Sequence, residues 1–167
     1  VGAAERDGVE LISVVFYTSN SGRWSDSRKL MEYGFSQFVS MTPQELYNEN
    51  PVIVDTSGFS LEDENLGRLQ LNVQPRADQR TVNIVATKAE MEAKARDLRQ
   101  TVMIEYTRDF AAPIAQGEVM GTMTYYPEDG SGAVTYDLVA TRSIARRENA
   151  PLTLEEIEAL VYADPNP

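Results

Sequence analysis

Ala112-Pro113-Ile114-Ala115-Gln116-Gly117-Glu118-Val119-Met120-Gly121-Thr122-Met123-Thr124-Tyr125-Tyr126 is the stretch on which the fold turns. Pro113 fixes φ and removes an amide donor, so it suits a strand edge or an entry turn. Gln116-Gly117 is a tight-turn dipeptide, because Gly117 takes positive φ at no steric cost. From Glu118 onward Val, Thr and Tyr dominate, as in a strand. Gly121 lies inside that strand, where a missing side chain marks a bulge or a close backbone approach. The stretch reads as a β-turn-β device in a small all-β domain and specifies architecture, not chemistry.

Working outward, strand candidates recur. Val52–Val54, Gly67–Val73, Thr81–Ala86 and Thr101–Tyr106 precede the central stretch, and Val134–Ser143 follows it. Gly67–Val73 alternates, with Leu69, Leu71 and Val73 inward and Arg68, Gln70 and Asn72 outward. Asp129-Gly130, between two alternating arms, signals a hairpin. Ser57–Asn65 and Pro75–Arg80 read as turn-rich connections, and Lys88–Gln100 as a surface helix with little apolar face. Strands at this spacing predict a sandwich or barrel.

The first forty residues differ in character. Arg6-Asp7-Gly8 is a turn, and Val9–Tyr17 is nearly continuous apolar, the pattern of a strand buried on both faces of a larger sheet. A lone hairpin cannot cover such a strand. Trp24–Ser40 reads as a helix, with Ser25 as N-cap and Asp26 in its first turn. Leu30, Met31, Gly34, Phe35, Phe38 and Val39 share one core-packing face. Met41-Thr42-Pro43 ends it, and Thr42–Asn50 reads as a linker marking a domain boundary. Leu152–Tyr162 is a short acidic helix, with Thr153 and Glu156 at capping-box spacing, and Asp164–Pro167 a frayed end.

Composition narrows the chemistry. The 167 residues carry a net charge of −11, which disfavours nucleic acid and anionic lipid as partners. No apolar run is long enough to span a bilayer. There is no Cys and no His, which removes thiolate nucleophiles, Ser-His and Cys-His catalysis and Cys or His metal sites from this chain. Glu62-Asp63-Glu64 and Glu155, Glu156 and Glu158 lack calcium-loop spacing and read as solvated faces. Ser19–Trp24 offers amides near Gly22 and the Arg23 guanidinium to an anion, or Trp24 to an interface; the plainer reading is a loop with one packed Trp. A biotinyl or lipoyl carrier barrel would need a lysine at the central hairpin, and Val119–Met123 has none.

Two segments carry a family resemblance. Ala4-Glu5-Arg6-Asp7-Gly8-Val9-Glu10-Leu11-Ile12-Ser13-Val14-Val15, followed by Asp26-Ser27-Arg28-Lys29-Leu30-Met31-Glu32-Tyr33-Gly34-Phe35, resembles the last strands and last helix of the catalytic domain of low-molecular-mass penicillin-binding proteins, the serine D-alanyl-D-alanine carboxypeptidases. Ala112–Thr122 and Asp137–Ala140 resemble that family's C-terminal β-rich domain. The resemblance implies an α+β chain. Residues 1–42 would be the hairpin and helix that end a transpeptidase-like (beta-lactamase-like) domain. Residues 43–147 would be a small all-β sandwich or barrel, and 148–167 an acidic tail.

The family's chemistry rests on Ser-x-x-Lys, Ser-x-Asn and Lys-Thr-Gly. Lys29, Lys88 and Lys94 follow Asp26, Val85 and Met91 at three residues, no Asn stands two after a Ser, and no Lys-Thr-Gly occurs. The expectation is therefore no catalytic, cofactor-binding or metal-binding residue in this chain, no cofactor, and no acyl transfer by it alone. The parent implied by the resemblance is a serine hydrolase trimming peptidoglycan stem peptides in the bacterial envelope, extracytoplasmic and membrane-anchored. The expected partners are the rest of the catalytic domain upstream of Val1, and peptidoglycan or envelope proteins met by the β-rich domain as spacer or interaction module. The start at Val1 is read as a cut from a longer protein. The alternative is a non-enzymatic β-rich binding module of the envelope. Either way, the hairpin face of Leu11, Val14 and Phe16 is expected to be poorly covered in this chain alone.

Overall fold

A computed structural model of the protein describes residues 1–55, 70–148, 152 and 154–162. The chain is mixed α and β. In order, β1 (Gly2–Arg6), β2 (Val9–Ser13), α1 (Gly22–Gln37), β3 (Phe38–Met41), α2 (Pro43–Glu49) and β4 (Ile53–Asp55) form the first part. There follow β5 (Gln70–Pro75), β6 (Ile84–Thr87), α3 (Lys88–Arg96), α4 (Leu98–Thr101), β7 (Val102–Tyr106), β8 (Val119–Tyr125), β9 (Val134–Ala140) and α5 (Leu154–Tyr162). The expected connection Ser57–Asn65, residues 67–69 of the strand candidate, Thr153 and Asp164–Pro167 lie outside the described residues.

The centre is an antiparallel sheet ordered β4-β5-β9-β8-β7. Strand β8 is the one anticipated at Glu118–Tyr126, and it stands between β7 and β9. Gly117 has φ +81, its amide donates to the Ala140 carbonyl at 2.8 Å, and Ala140 donates back to Glu118 at 2.9 Å, so the turn clamps the end of β9. At Gly121 both sequence-level options hold. The β8–β9 register shifts between Val119 and Gly121, and a Cβ on Gly121 would stand 2.3 Å from the Glu105 carbonyl oxygen of β7. Any side chain there would push β7 off β8.

Beneath the sheet lies one core. Leu71, Val73, Met120, Met123, Tyr136 and Leu138 supply it from the strands, and Leu46, Tyr47, Met91 and Leu98 from the helices. Leu71 and Val73 point inward and Asn72 outward, as the alternation requires. The β8–β9 hairpin turns at Asp129-Gly130, with Gly130 at φ +73 and the Ser131 amide donating to the Asp129 carboxylate at 2.9 Å.

Several expectations need correcting. The part after residue 42 is not all-β, because α2, α3 and α4 pack on the sheet. Thr42–Asn50 is no linker. Thr42 and Glu45 form a capping box, Pro43 starts the helix, and Leu46 and Tyr47 are wholly buried. Polar residues concealed an i, i+1 apolar pair that one short helix turns into the core. The helix anticipated to Ser40 stops at Gln37. Phe38–Met41 instead pairs antiparallel with Ile84–Thr87, because the β-branched and aromatic run finds a strand partner 46 positions on. Its N-cap is Ser21, not Ser25, whose hydroxyl donates to the Gly22 carbonyl inside the helix; Asp26 is past the first turn and accepts from the Thr18 hydroxyl at 2.8 Å. No residue of α1 is buried, so its apolar face is not a core face in this chain.

Val9–Tyr17 is not one strand. The strand ends at Ser13, pairs with β1 and with no other strand among the described residues, and leaves Val14 and Phe16 exposed. Its turn is as read: Asp7 and Gly8 both take positive φ between Arg6 and Val9. Helix α1 is held on the hairpin by Arg6, which donates to the Glu32 carboxylate at 3.0 and 2.9 Å and lies 4.5 Å over the Phe35 ring. Gly34 lets the Leu11 side chain come close, since a Cβ there would meet it at 2.6 Å.

Two measurements check this core. Gly121→Ala is expected to lower stability by about 1–3 kcal/mol, read as a fall in the urea midpoint at unchanged slope; an unchanged midpoint would refute the close approach to β7. The Tyr47 hydroxyl donates to the Val73 carbonyl at 2.7 Å, and burial pushes it up to about 12. A folded value above the unfolded one means stability present below about pH 10 and lost as pH climbs to 12. Tyr47→Phe is expected to cost about 1 kcal/mol at pH 8, with the gap to the parent protein closing between pH 10 and 12.

Candidate functional site

A recess with mixed polar and apolar walls opens where β6 hands over to α3. Thr87 is the last residue of β6 and the N-cap of α3. Its hydroxyl accepts from the Glu90 amide at 3.3 Å, and the Glu90 carboxylate accepts from the Thr87 amide at 3.0 Å. This capping box fixes the angle at which α3 leaves the strand. One turn on, Lys94 points across to the β8–β9 loop and meets Glu128 at 3.1 Å. Between the two walls lies a groove of about 610 Å³ bordered by Asn83–Ala86, Glu90, Lys94, Tyr125 and Pro127–Asp129. Beyond the Lys94–Glu128 pair a second recess of about 370 Å³ is bordered by Arg99, Thr101, Met103 and Tyr126.

The electrostatics of the groove follow from its neighbours. Hydrogen bonds from Thr87 hold the Glu90 carboxyl below the usual carboxylate range. Bonds from Ser131 do the same for Asp129. Burial raises the hydroxyl of Tyr125, which also borders the groove, above its usual value. At neutral pH three carboxylates, Glu90, Glu128 and Asp129, face the single ammonium of Lys94.

The residues singled out in sequence are mostly elsewhere. Lys29 is exposed on α1, Lys88 opens α3, and only Lys94 reaches the groove. Asp26, Val85 and Met91 bring no hydroxyl to any of them. Glu155, Glu156 and Glu158 share α5, where Glu156 accepts from Arg146 at 2.5 Å. Glu62-Asp63-Glu64 falls outside the described residues. Among the described residues no three His, Cys, Asp or Glu side chains gather as a metal site would need. In the Ser19–Trp24 loop the Gly22 amide is taken by the Ser19 hydroxyl at 2.9 Å and the Arg23 amide by the Ser19 carbonyl at 3.0 Å. Trp24 is 73 % exposed with the Arg23 guanidinium 5.7 Å from its ring, so the packed-Trp reading is wrong. The groove itself went unread in sequence. Its one local signal is Thr87-x-x-Glu90, which locates the start of α3 but not what faces it.

A second surface is apolar. Ile12 (76 % exposed), Phe16 (78 %), Val14, Leu30 and Tyr33 are exposed on the hairpin and α1, with a recess of about 260 Å³ between Leu11, Val14, Leu30 and Met31. The expected poor cover of Val14 and Phe16 holds, while Leu11 is half-buried under α1. This face is expected to bind an environment-sensitive dye or to drive self-association. Ile12→Thr with Phe16→Ser should remove most of that signal. A dye-silent monomer would show that the face is too broken to matter.

No family model matches the chain, and no curated protein matches it. No helix among the described residues is long and apolar enough to cross a membrane. A solved structure to which the chain is similar is that of the D-alanyl-D-alanine carboxypeptidase DacD from Francisella tularensis. The TM-score is 0.38 at 21 % sequence identity, over 87 % of this chain and 32 % of that one. The chain thus spans about a third of the length of the carboxypeptidase it matches.

Proposed function

We propose that the chain is the C-terminal part of a serine-type D-alanyl-D-alanine carboxypeptidase that trims peptidoglycan stem peptides at the outer side of a bacterial envelope. Residues 1–42 end its catalytic domain, 43–147 form a β-rich spacer or interaction domain, and 148–167 an acidic tail. The observation that carries this reading is the state of the first 37 residues. Only Val9 and Ser13 are buried there, and none of these residues joins the core, although the segment is folded and rich in apolar side chains. The hydroxyl of Ser13 is enclosed without a hydrogen-bond partner. A hairpin and helix in this condition fit an element whose cover is supplied by further strands. The segment also carries the first of the two stretches that resemble the carboxypeptidase family.

The reacting groups of such an enzyme belong to the part upstream of Val1, which also supplies the missing cover. A second reading is a non-enzymatic envelope module, favoured by the groove beside β6, which is shaped by the β-rich part alone.

A fluorescent penicillin separates the readings. The 167-residue chain is expected to stay unlabelled, because it has no serine placed three before a lysine. The longer gene product, carrying the upstream sequence, is expected to label stoichiometrically and to release D-alanine from a stem pentapeptide. Labelling of the short chain, or a longer product that neither labels nor releases D-alanine, would overturn the enzyme reading.

A further inference from the structure

Asn83, Ile84, Val85 and Ala86 all border the groove described above. Successive strand side chains point to opposite faces, so four residues in a row can line one cavity only along a backbone edge. The other edge of β6 is bonded to β3, and among the described residues no strand lies against this one. An open strand edge normally carries a device that blunts it, such as a proline, a bulge or a lysine. Ile84–Thr87 has none of these. The edge is instead walled into a trench, with α3 on one side and the Pro127–Asp129 loop on the other. That geometry hides it from flat edge-to-edge aggregation while leaving room for a single extended chain.

Charge says which chain fits. The Lys94 ammonium is already engaged by Glu128 at 3.1 Å, so the surplus in the trench is carboxylate, with Asp129 and Glu90 both held ionised. An acidic segment would meet like charge, whereas a lysine or arginine on alternate positions of an added strand would meet Glu128 and Asp129 at the loop wall. Tyr125 and Pro127 give the intervening side chains an apolar floor.

We propose that this trench binds an extended, basic segment of a partner protein, which adds as a strand to the free edge of β6. Main-chain hydrogen bonds to β6 supply the affinity, and the carboxylates of the β8–β9 loop select for positive side chains. The site lies wholly in residues 83–129, so it stands independently of the carboxypeptidase reading.

The test uses the whole chain and a dye-labelled peptide of alternating valine and lysine, about eight residues long, with fluorescence anisotropy as readout. Saturable binding is expected, with the amide resonances of Val85 and Ala86 among those that shift. Binding should fall at least about tenfold when valine is exchanged for N-methylvaline on the β6-facing side, or lysine for glutamate. Glu128→Gln with Asp129→Asn, whose amide oxygens can still accept from Lys94 and the Ser131 amide, should weaken it about tenfold while the protein stays folded. Equal binding of the N-methylated or the acidic peptide would overturn the proposal. So would no binding at about millimolar peptide, or pairing of two protein copies through β6 in its place.

Discussion

Everything in the sheet depends on how closely β7 can approach β8 at Gly121. There the Glu105 carbonyl occupies the space a side chain would need, and the same residue absorbs the register shift against β9. Strand β8 therefore holds both neighbours at ladder distance although their registers disagree by a residue. Its covered faces carry Met120, Met123 and Tyr125 into the interior, and its far end delivers Tyr125 and the Pro127–Asp129 loop to the groove. One absent side chain thus connects the packing of the core to the shape of the groove beside β6.

The chain holds two kinds of structure. From α2 to β9, helices and strands contribute to one core, although Ile53, Val85, Met103 and Tyr126 stay exposed. The hairpin and α1 join this body through β3, which follows α1 and pairs with β6, while an exposed Arg6–Glu32 pair only holds α1 on the hairpin. Exposed ion pairs of this sort contribute little to stability, and the hairpin's outward apolar face gains nothing from burial. The proposed reading of the first segment rests on this contrast.

Local signals proved reliable where the cause was local. Asp7-Gly8, Gln116-Gly117 and Asp129-Gly130 all turn the chain where expected, because their backbone conformations are decided within a few residues. Strand alternation around Leu71 and Val73 located the inner face for the same reason. The absence of Ser-x-x-Lys, Ser-x-Asn and Lys-Thr-Gly is likewise a property of the sequence. The misreadings came where partners are distant. Phe38–Met41 continued a helical pattern until Ile84–Thr87 offered it a ladder, and Leu46-Tyr47 looked like linker until the sheet rose beneath it. The groove was invisible because Lys94 and Glu128 are 34 residues apart and neither stands in a motif.

From sequence alone came the turns, the identities of most strands, and the lack of the residues that acyl transfer, thiol or imidazole chemistry would require. All of these are statements about residue types and short-range geometry. Tertiary structure alone decided that the first hairpin is a short strand pair, that a polar-looking segment is a core helix, and that an edge of β6, unpaired among the described residues, lies in an acidic trench. Each of those depends on which distant surfaces meet, and contact between distant surfaces leaves no periodic trace in the chain.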